Sequence, residues 1–331
     1  KATGRGGRLF AVYDVVTFGE TMIRFSTAPG ERLETATTVE IGIGGAESNV
    51  AVALARLGRR VAWASVLPRN PFGARIAGEL RRHGIDTTHI HWVDQGRAGV
   101  YYLDTGAAPR PTQVLYDRAG SAVAVCDPED IDPALATHGR LLHLTGITPA
   151  LSPSCTEITR RLLSAATAAG IPVSIDVNYR SRLWTPEAAA ETLTPLCSES
   201  TVLFCGRNDA RTLWGLGGTD EEIARGLAAL FDAAVTVLTA GADGALALTR
   251  DGTFYHEPAV PVDVIDRVGA GDAFAAGFLH GYLDGDVALG LRLGVRLAAL
   301  KMTVRGDLAV LSEDDIAACL AEAGSSHTIM R

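Results

Sequence analysis

Asp266-Arg267-Val268-Gly269-Ala270-Gly271-Asp272-Ala273-Phe274-Ala275-Ala276-Gly277-Phe278-Leu279 reads as a glycine turn running into a helix. Glycine accepts positive φ at little cost, so Gly269 and Gly271 permit a tight turn with exposed N–H groups. Phe274, Phe278 and Leu279 then follow at helical spacing, with small residues between them. A turn of this kind gathers donors at the positive end of a helix dipole and suits an anion. Asp272 stands at the mouth of the pocket. Two readings of it are level: a carboxylate facing the bound anion, or an ordinary N-cap.

Working outward, the chain from Leu141 alternates short apolar runs with amphipathic stretches. Strands are expected at Leu141–Leu144, Val173–Asp176, Val202–Cys205 and Ala234–Thr239, and helices at Pro153–Ala169, Pro186–Leu196 and Glu221–Phe231. A hairpin-like pair, Ala245–Thr249 and Gly252–His256, follows. The pattern predicts a doubly wound, mostly parallel α/β sheet with helices on both faces, whose ligands bind beyond the strands' carboxyl ends. Nearer the N-terminus come a strand from Val15, a helix over Ala46–Leu57 capped by Gly58, a strand Arg60–Val66 and a helix Pro71–His83. Residues 21–43 and 98–124 alternate differently. Met22–Phe25, Val39–Ile43, Gly99–Asp104 and Gln113–Arg118 read as half-exposed ribbon strands, forming a small β lid.

Composition bounds the function. The chain has 331 residues, 47% hydrophobic and 21% charged, with 36 Gly, enough for a large core. A net charge of −8 disfavours nucleic acid or an anionic membrane as partner. Lys1 and Lys301 are the only lysines, so a Walker-type phosphate loop is excluded. Cys126, Cys155, Cys197, Cys205 and Cys319 are an odd set without Cys-x-x-Cys spacing, which reads as reduced cytosolic thiols. His89-x-His91 has no third ligand nearby and reads as a solvated loop. No apolar run reaches about 18 residues, so no membrane span is expected. Residues 1–13 read as a flexible tail and not a signal peptide, 14–323 as one domain, and 324–331 as a C-terminal tail.

Asp266-x-Val268-Gly269-Ala270-Gly271-Asp272 resembles the C-terminal signature of the ribokinase-like sugar kinases, the family that includes the minor phosphofructokinase. Gly44-Gly45-Ala46-Glu47-Ser48-Asn49, continuing to Gly58, resembles the family's N-terminal signature. The resemblance implies a ribokinase-like fold with Asp272 as catalytic base and the Gly269, Ala270 and Gly271 amides as an anion hole. It also implies ATP and Mg²⁺, with a monovalent cation left open, and a cytoplasmic enzyme. Thr145-Gly146-Ile147-Thr148-Pro149-Ala150-Leu151, Asp176-Val177-Asn178-Tyr179-Arg180 and Tyr116-Asp117-Arg118 resemble one subgroup, the 2-keto-3-deoxygluconate kinases. By that resemblance Gly45, Asn49, Tyr101, Tyr116, Arg118, Ile147, Arg180 and Asp307 would line a sugar-acid pocket. Asn178, Gly206, Thr239, Gly241 and Gly244, with Gly269 and Gly271, would hold the nucleotide. Asp209 would be an outer-shell acid for the metal.

The chemistry is sensible in its own right, since planar Arg forks bind carboxylates through paired charge-assisted hydrogen bonds. Each Tyr has a plainer reading as packing beneath a half-buried sheet. The chain departs from the family pattern at Gly206 (an Asn in the family motif), Thr239 (a Lys), Arg267 (a Thr) and Val295 (an Asn). Three functions therefore stand: a sugar-acid kinase, a kinase for a neutral sugar or nucleoside, and a non-catalytic sugar- or nucleotide-binding protein. Exposed lid edges pair readily with a second subunit, so a homo-oligomer is expected.

Overall fold

A computed structural model describes residues 12–106 and 109–320; the expected terminal tails lie almost wholly outside them. The chain runs β1 (Tyr13–Phe18), β2 (Met22–Ser26), β3 (Glu40–Gly44), α1 (Ala46–Arg56), β4 (Val61–Pro68), α2 (Pro71–Arg82), β5 (Ile90–Val93), β6 (Val100–Asp104) and β7 (Gln113–Asp117). It continues with β8 (Gly139–Thr145), α3 (Pro153–Ala168), β9 (Val173–Asp176), α4 (Pro186–Ser198), β10 (Val202–Gly206), α5 (Arg207–Trp214) and α6 (Asp220–Phe231). Last come β11 (Val235–Thr239), β12 (Ala245–Thr249), β13 (Phe254–Glu257), α7 (Ala270–Leu283), α8 (Val287–Met302) and α9 (Glu313–Leu320).

Among the described residues the large sheet has nine strands in the order β13-β12-β11-β10-β9-β8-β1-β4-β5. Strands β5 to β11 within it are parallel, and β12 and β13 form the expected antiparallel edge. β1 sends its pleat to both faces. Val15 packs with Val50, Leu54, Ile76, Leu80, Phe278 and Leu297 under α1, α2, α7 and α8. Val16 and Phe18 pack with Ile158, Leu193, Leu213 and Leu227 under α3 to α6. Each such side chain contributes about 1.5–3 kcal/mol by leaving water. Because β1 lies between β4 and β8, chain order reverses there, and a crevice opens at the carboxyl ends of these strands.

The small sheet is ordered β3-β2-β6-β7. Its outer pairs are antiparallel, but β2 and β6 run parallel. Side chains alternate across it. Arg24, Tyr101 and Tyr116 share one row, and Ile41, Phe25, Tyr102 and Leu115 share the opposite one. The apolar row meets α2 where Phe25 and Phe72 lie edge to face at 6.3 Å. That leaves the Arg24 face for the crevice.

Two elements differ from expectation. The His89-x-His91 segment is only partly a loop: His89 ends a turn, but His91 lies in β5, which forms the edge of the large sheet beside β4. His89 lies 3.2 Å from the Tyr13 hydroxyl and His91 3.3 Å from Asp130. α5 was not expected, because it is only eight residues long and its apolar stripe is confined to Ala210, Leu213 and Trp214.

Candidate functional site

The N-termini of α1 and α7 meet at the crevice. The cap of α7 is Gly269, left-handed at φ 85°. A Cβ there would lie 2.0 Å from the Asp307 carbonyl oxygen, so only glycine fits. Gly271 needs neither exception; its φ is not positive, and a Cβ on it would meet nothing within 4 Å. Open space thus lies over the first turn. The Ala270 N–H turns back to the Arg267 carbonyl at 3.2 Å. The amides of Gly269, Gly271 and Asp272 donate to no group among the described residues, as expected for a helix start.

Asp272 is the third residue of α7, and its side chain caps nothing, which removes the N-cap reading. Its Oδ2 instead accepts from Asn49 Nδ2 on α1 at 2.7 Å. Asn49 Oδ1 in turn faces the Gly45 N–H at 3.4 Å. Gly45 is required by crowding: a Cβ would stand 2.1 Å from the Glu20 carbonyl oxygen. Burial pushes the Asp272 carboxyl up to about 7, although the Asn49 hydrogen bond and the Arg180 charge pull it down.

The floor of the crevice carries more acid. Thr145 on β8 is level with Asp176 on β9, which is level with Phe204 on β10. Asp176 is raised to about 8, first by burial and then by the neighbouring Asp272 and Asp209 charges. Asp209, on the first turn of α5, is raised by burial and accepts from the Tyr179 N–H at 3.2 Å. Between β9 and α4 the chain turns at Asn178, held at φ 42° with its Nδ2 3.2 Å from Asp176. This turn presents Arg180, which is exposed; its carbonyl accepts from the Leu183 N–H at 2.9 Å, but its guanidinium makes no hydrogen bond or ion pair among the described residues. Its charge acts on Asp176, Asp209 and Asp272 alike.

The wall formed by the small sheet is different. Arg24 reaches Asp307 and Asp266, each at 2.6 Å, and all three are buried. Asp266 also accepts from the Val268 N–H at 3.0 Å and the Gly306 N–H at 3.1 Å, fastening the start of the glycine turn. The Tyr101 hydroxyl is buried without a hydrogen-bond partner. It and an Asp307 carboxylate oxygen both occupy the space that a Cβ on Gly44 would take. Tyr116 lies opposite Tyr101 across the strands, with ring centroids 5.9 Å apart. Arg118 is 9% exposed and pairs with Glu20 through Nε at 2.7 Å and through Nη2 at 2.5 Å. Ser121 completes the shell of Glu20. Nη1 of Arg118 and the second N–H of Nη2 are left for another acceptor. Of the two arginines expected in the sugar-acid pocket, Arg118 is therefore already held by a buried carboxylate and Arg180 is not.

Ile147 is buried in the loop after β8, its N–H 3.2 Å from Thr145 Oγ1. The expected nucleotide residues gather at the neighbouring strand ends. Gly206 and Thr239 are register partners on β10 and β11. A Cβ on Gly206 would lie 3.5 Å from Asp209 Oδ2. Gly241 and Gly244, both at positive φ, shape the turn between β11 and β12. Val295 is buried in α8.

Several residues that build this site were not singled out. Glu47 is buried on α1 and accepts from Thr145 at 2.7 Å and Thr148 at 2.6 Å, tying α1 to the loop after β8. Burial raises its carboxyl. Asp176 and Glu20 belong with it. The one signal available was a charged residue closing an otherwise apolar strand, in Val173–Asp176 and again before Thr21.

Comparison with known proteins places the molecule. It belongs to the pfkB family of carbohydrate kinases, whose profile matches residues 13–314. It is 44% identical over 304 residues to the 2-dehydro-3-deoxygalactonokinase of Haloferax volcanii, covering 92% of this chain and 95% of the relative. With the 2-dehydro-3-deoxygluconokinase of Bacillus subtilis it shares 32% over 301 residues, covering 89% and 91%. The crystal structure of the 2-dehydro-3-deoxygluconokinase of Thermotoga maritima superposes with a TM-score of 0.87 at 33% identity, covering 92% and 97%. The fold is accordingly the ribokinase-like one, with the small sheet as its lid. Among the described residues no helix is long and apolar enough to cross a membrane.

Proposed function

We propose that the protein phosphorylates the terminal hydroxyl of a 2-dehydro-3-deoxy sugar acid with ATP, in the manner of a 2-keto-3-deoxygluconate kinase. The observation that carries the reading is the uncommitted Arg180 facing Asp272 across a floor of acids. In an otherwise acidic crevice a sugar carboxylate needs such a cation, and a charge-assisted hydrogen bond to it contributes about 1.5–3 kcal/mol. Nη1 of Arg118, Tyr101, Tyr116, Asp307, Ile147, Gly45 and Asn49 would complete the sugar pocket under the closed lid. Tyr101 brings a buried hydroxyl that lies beside the Asp307 carboxylate outside good hydrogen-bond geometry, and a sugar oxygen would engage it.

Asp272 takes the proton of the attacking hydroxyl, a task suited to a carboxyl poised near neutral pH. Asn49 orients it. The amides of Gly269 and Gly271 and the α7 dipole stabilise charge on the transferring phosphoryl oxygens. Asn178, Gly206, Thr239, Gly241 and Gly244 would carry the remainder of the nucleotide. Among the described residues no three acidic, His or Cys side chains form a ready-made metal site. The crowded Asp176 and Asp209 nevertheless suit Mg²⁺ held through water, where it would neutralise phosphate charge. The setting is a single cytoplasmic domain that pairs with a second copy. The exposed Ile41 and Leu115 at opposite edges of the small sheet favour such pairing.

The test is ADP release with 2-dehydro-3-deoxygluconate, its C4 epimer 2-dehydro-3-deoxygalactonate, fructose and ribose. Turnover of one or both acids at a kcat/KM well above the neutral sugars is the expected result. A preference for fructose or ribose overturns it, and the pairing of Arg118 with Glu20 would then count for the neutral-sugar reading.

A further inference from the structure

Lys301 is one of two lysines in the chain and is fully buried. It lies in the last turn of α8, and its Nζ donates to the Asp266 carbonyl at 3.0 Å and to the Val304 carbonyl at 3.3 Å. Asp266 begins the glycine turn, and Val304 begins the segment whose Asp307 carbonyl abuts Gly269. The backbone ladder here is thin: Ile265 and Asp266 both donate to the Met302 carbonyl, at 2.8 and 3.2 Å. Nearby charges are Asp266, Asp307, Asp272 and Arg24, and burial lowers the Lys301 ammonium against the pull of the three acids. Without that ammonium, two carbonyls and the negative end of α8 would meet at the base of a turn that offers its amides to an anion. Burying a lysine is costly unless the charge has such partners.

We propose that Lys301 is the built-in cation of this turn: a positioning residue that clamps the Asp266 and Val304 carbonyls and gives the phosphate site a fixed positive charge. No monovalent ion from solution is then needed to do so. The proposal rests on the reading of Gly269 to Asp272 as the phosphate turn.

The experiment compares wild type with Lys301→Met, which keeps the length of the side chain and removes its charge. A positioning role predicts a loss of kcat on the order of 10²-fold, comparable to removing one oxyanion donor, with the sugar-acid KM within about threefold. It also predicts that the β,γ-methylene analogue of ATP binds about tenfold more weakly while ADP, lacking the γ-phosphate, changes less than about threefold. Equal loss of ADP and analogue affinity, or a variant keeping more than half of wild-type kcat, overturns the proposal. The wild type gives a check that needs no variant. Its turnover should agree within about twofold in potassium, sodium and tetramethylammonium chloride at one ionic strength, and a larger rise with potassium overturns the built-in cation. A wild type inactive on every sugar acid refutes the proposed function alone, because the analogue and ADP affinities still decide the role of Lys301.

Discussion

The wall and the floor of the crevice handle charge in opposite ways. On the wall, Arg24 is matched by Asp266 and Asp307, and Arg118 by Glu20, all at 2.5–2.7 Å and all buried. Burial raises the carboxyls of Asp176, Asp209 and Asp272 on the floor, as it raises Asp307 on the wall, but among the described residues the floor acids have no ion-pair partner, and the guanidinium of Arg180 acts on them without one of its own. Paired buried charges fix geometry, since removing one partner strands the other. Unbalanced charge costs stability in the empty protein and is relieved when a ligand and its counter-ion arrive. The difference separates residues that shape the site from residues that use it.

The comparison breaks most sharply at Asp272. Asp272→Asn should lower kcat by about 10²–10⁴ while sugar-acid affinity stays within a few-fold, because the amide keeps the shape but cannot take a proton. Steady-state kinetics with a direct binding measurement check this, and a variant retaining half the wild-type rate would show that Asp272 is no base.

On the wall the expected loss is in stability. Arg24→Met leaves Asp266 and Asp307 buried without their cation, and urea unfolding should record about 3–5 kcal/mol. A loss below about 1 kcal/mol would place Arg24 among ordinary surface charges.

A smaller effect follows from pH. Asp272 and Asp176 titrate near 7 and 8 in the folded protein and close to 3.8 when unfolded, so the folded state holds more protons between those values. Stability of the ligand-free protein from these groups is therefore greatest in acid and falls as pH rises through about 7 to 8. Thermal unfolding at pH 5.5 and pH 8 should show a lower Tm at the higher pH, and Asp176→Asn should shrink the difference. A Tm that rises over this interval in the wild type and is unmoved by Asp176→Asn would contradict the floor as described.

The fold could be read from the sequence wherever local pattern was strong. Short apolar runs such as Leu141–Leu144 and Val202–Cys205 gave buried parallel strands, and Gly58 marked a helix end with its positive φ. β5 was hidden because four residues, two of them His91 and Trp92, show no period at a sheet edge. In the site, the glycine turn and its Asp were legible because one short segment holds them. The partners were not. Asn49 and Asp272 are 223 positions apart, and Arg24 and Asp307 are 283, so no local pattern could show which arginine a carboxylate holds. Nothing local shows that Arg118, one of the two arginines expected in the sugar-acid pocket, is already held by Glu20.

Arg180 is where wall and floor are most directly told apart. The decisive measurement is kcat/KM for 2-dehydro-3-deoxygluconate and for fructose on wild type and Arg180→Ala, with urea unfolding of both proteins. An uncommitted cation that meets the sugar carboxylate predicts a loss of roughly 10- to 150-fold on the acid, a much smaller loss on fructose, and stability within about 0.5 kcal/mol of wild type. An unchanged specificity constant for the acid, or a large loss of stability, would contradict the division between charges that build the site and charges that work in it.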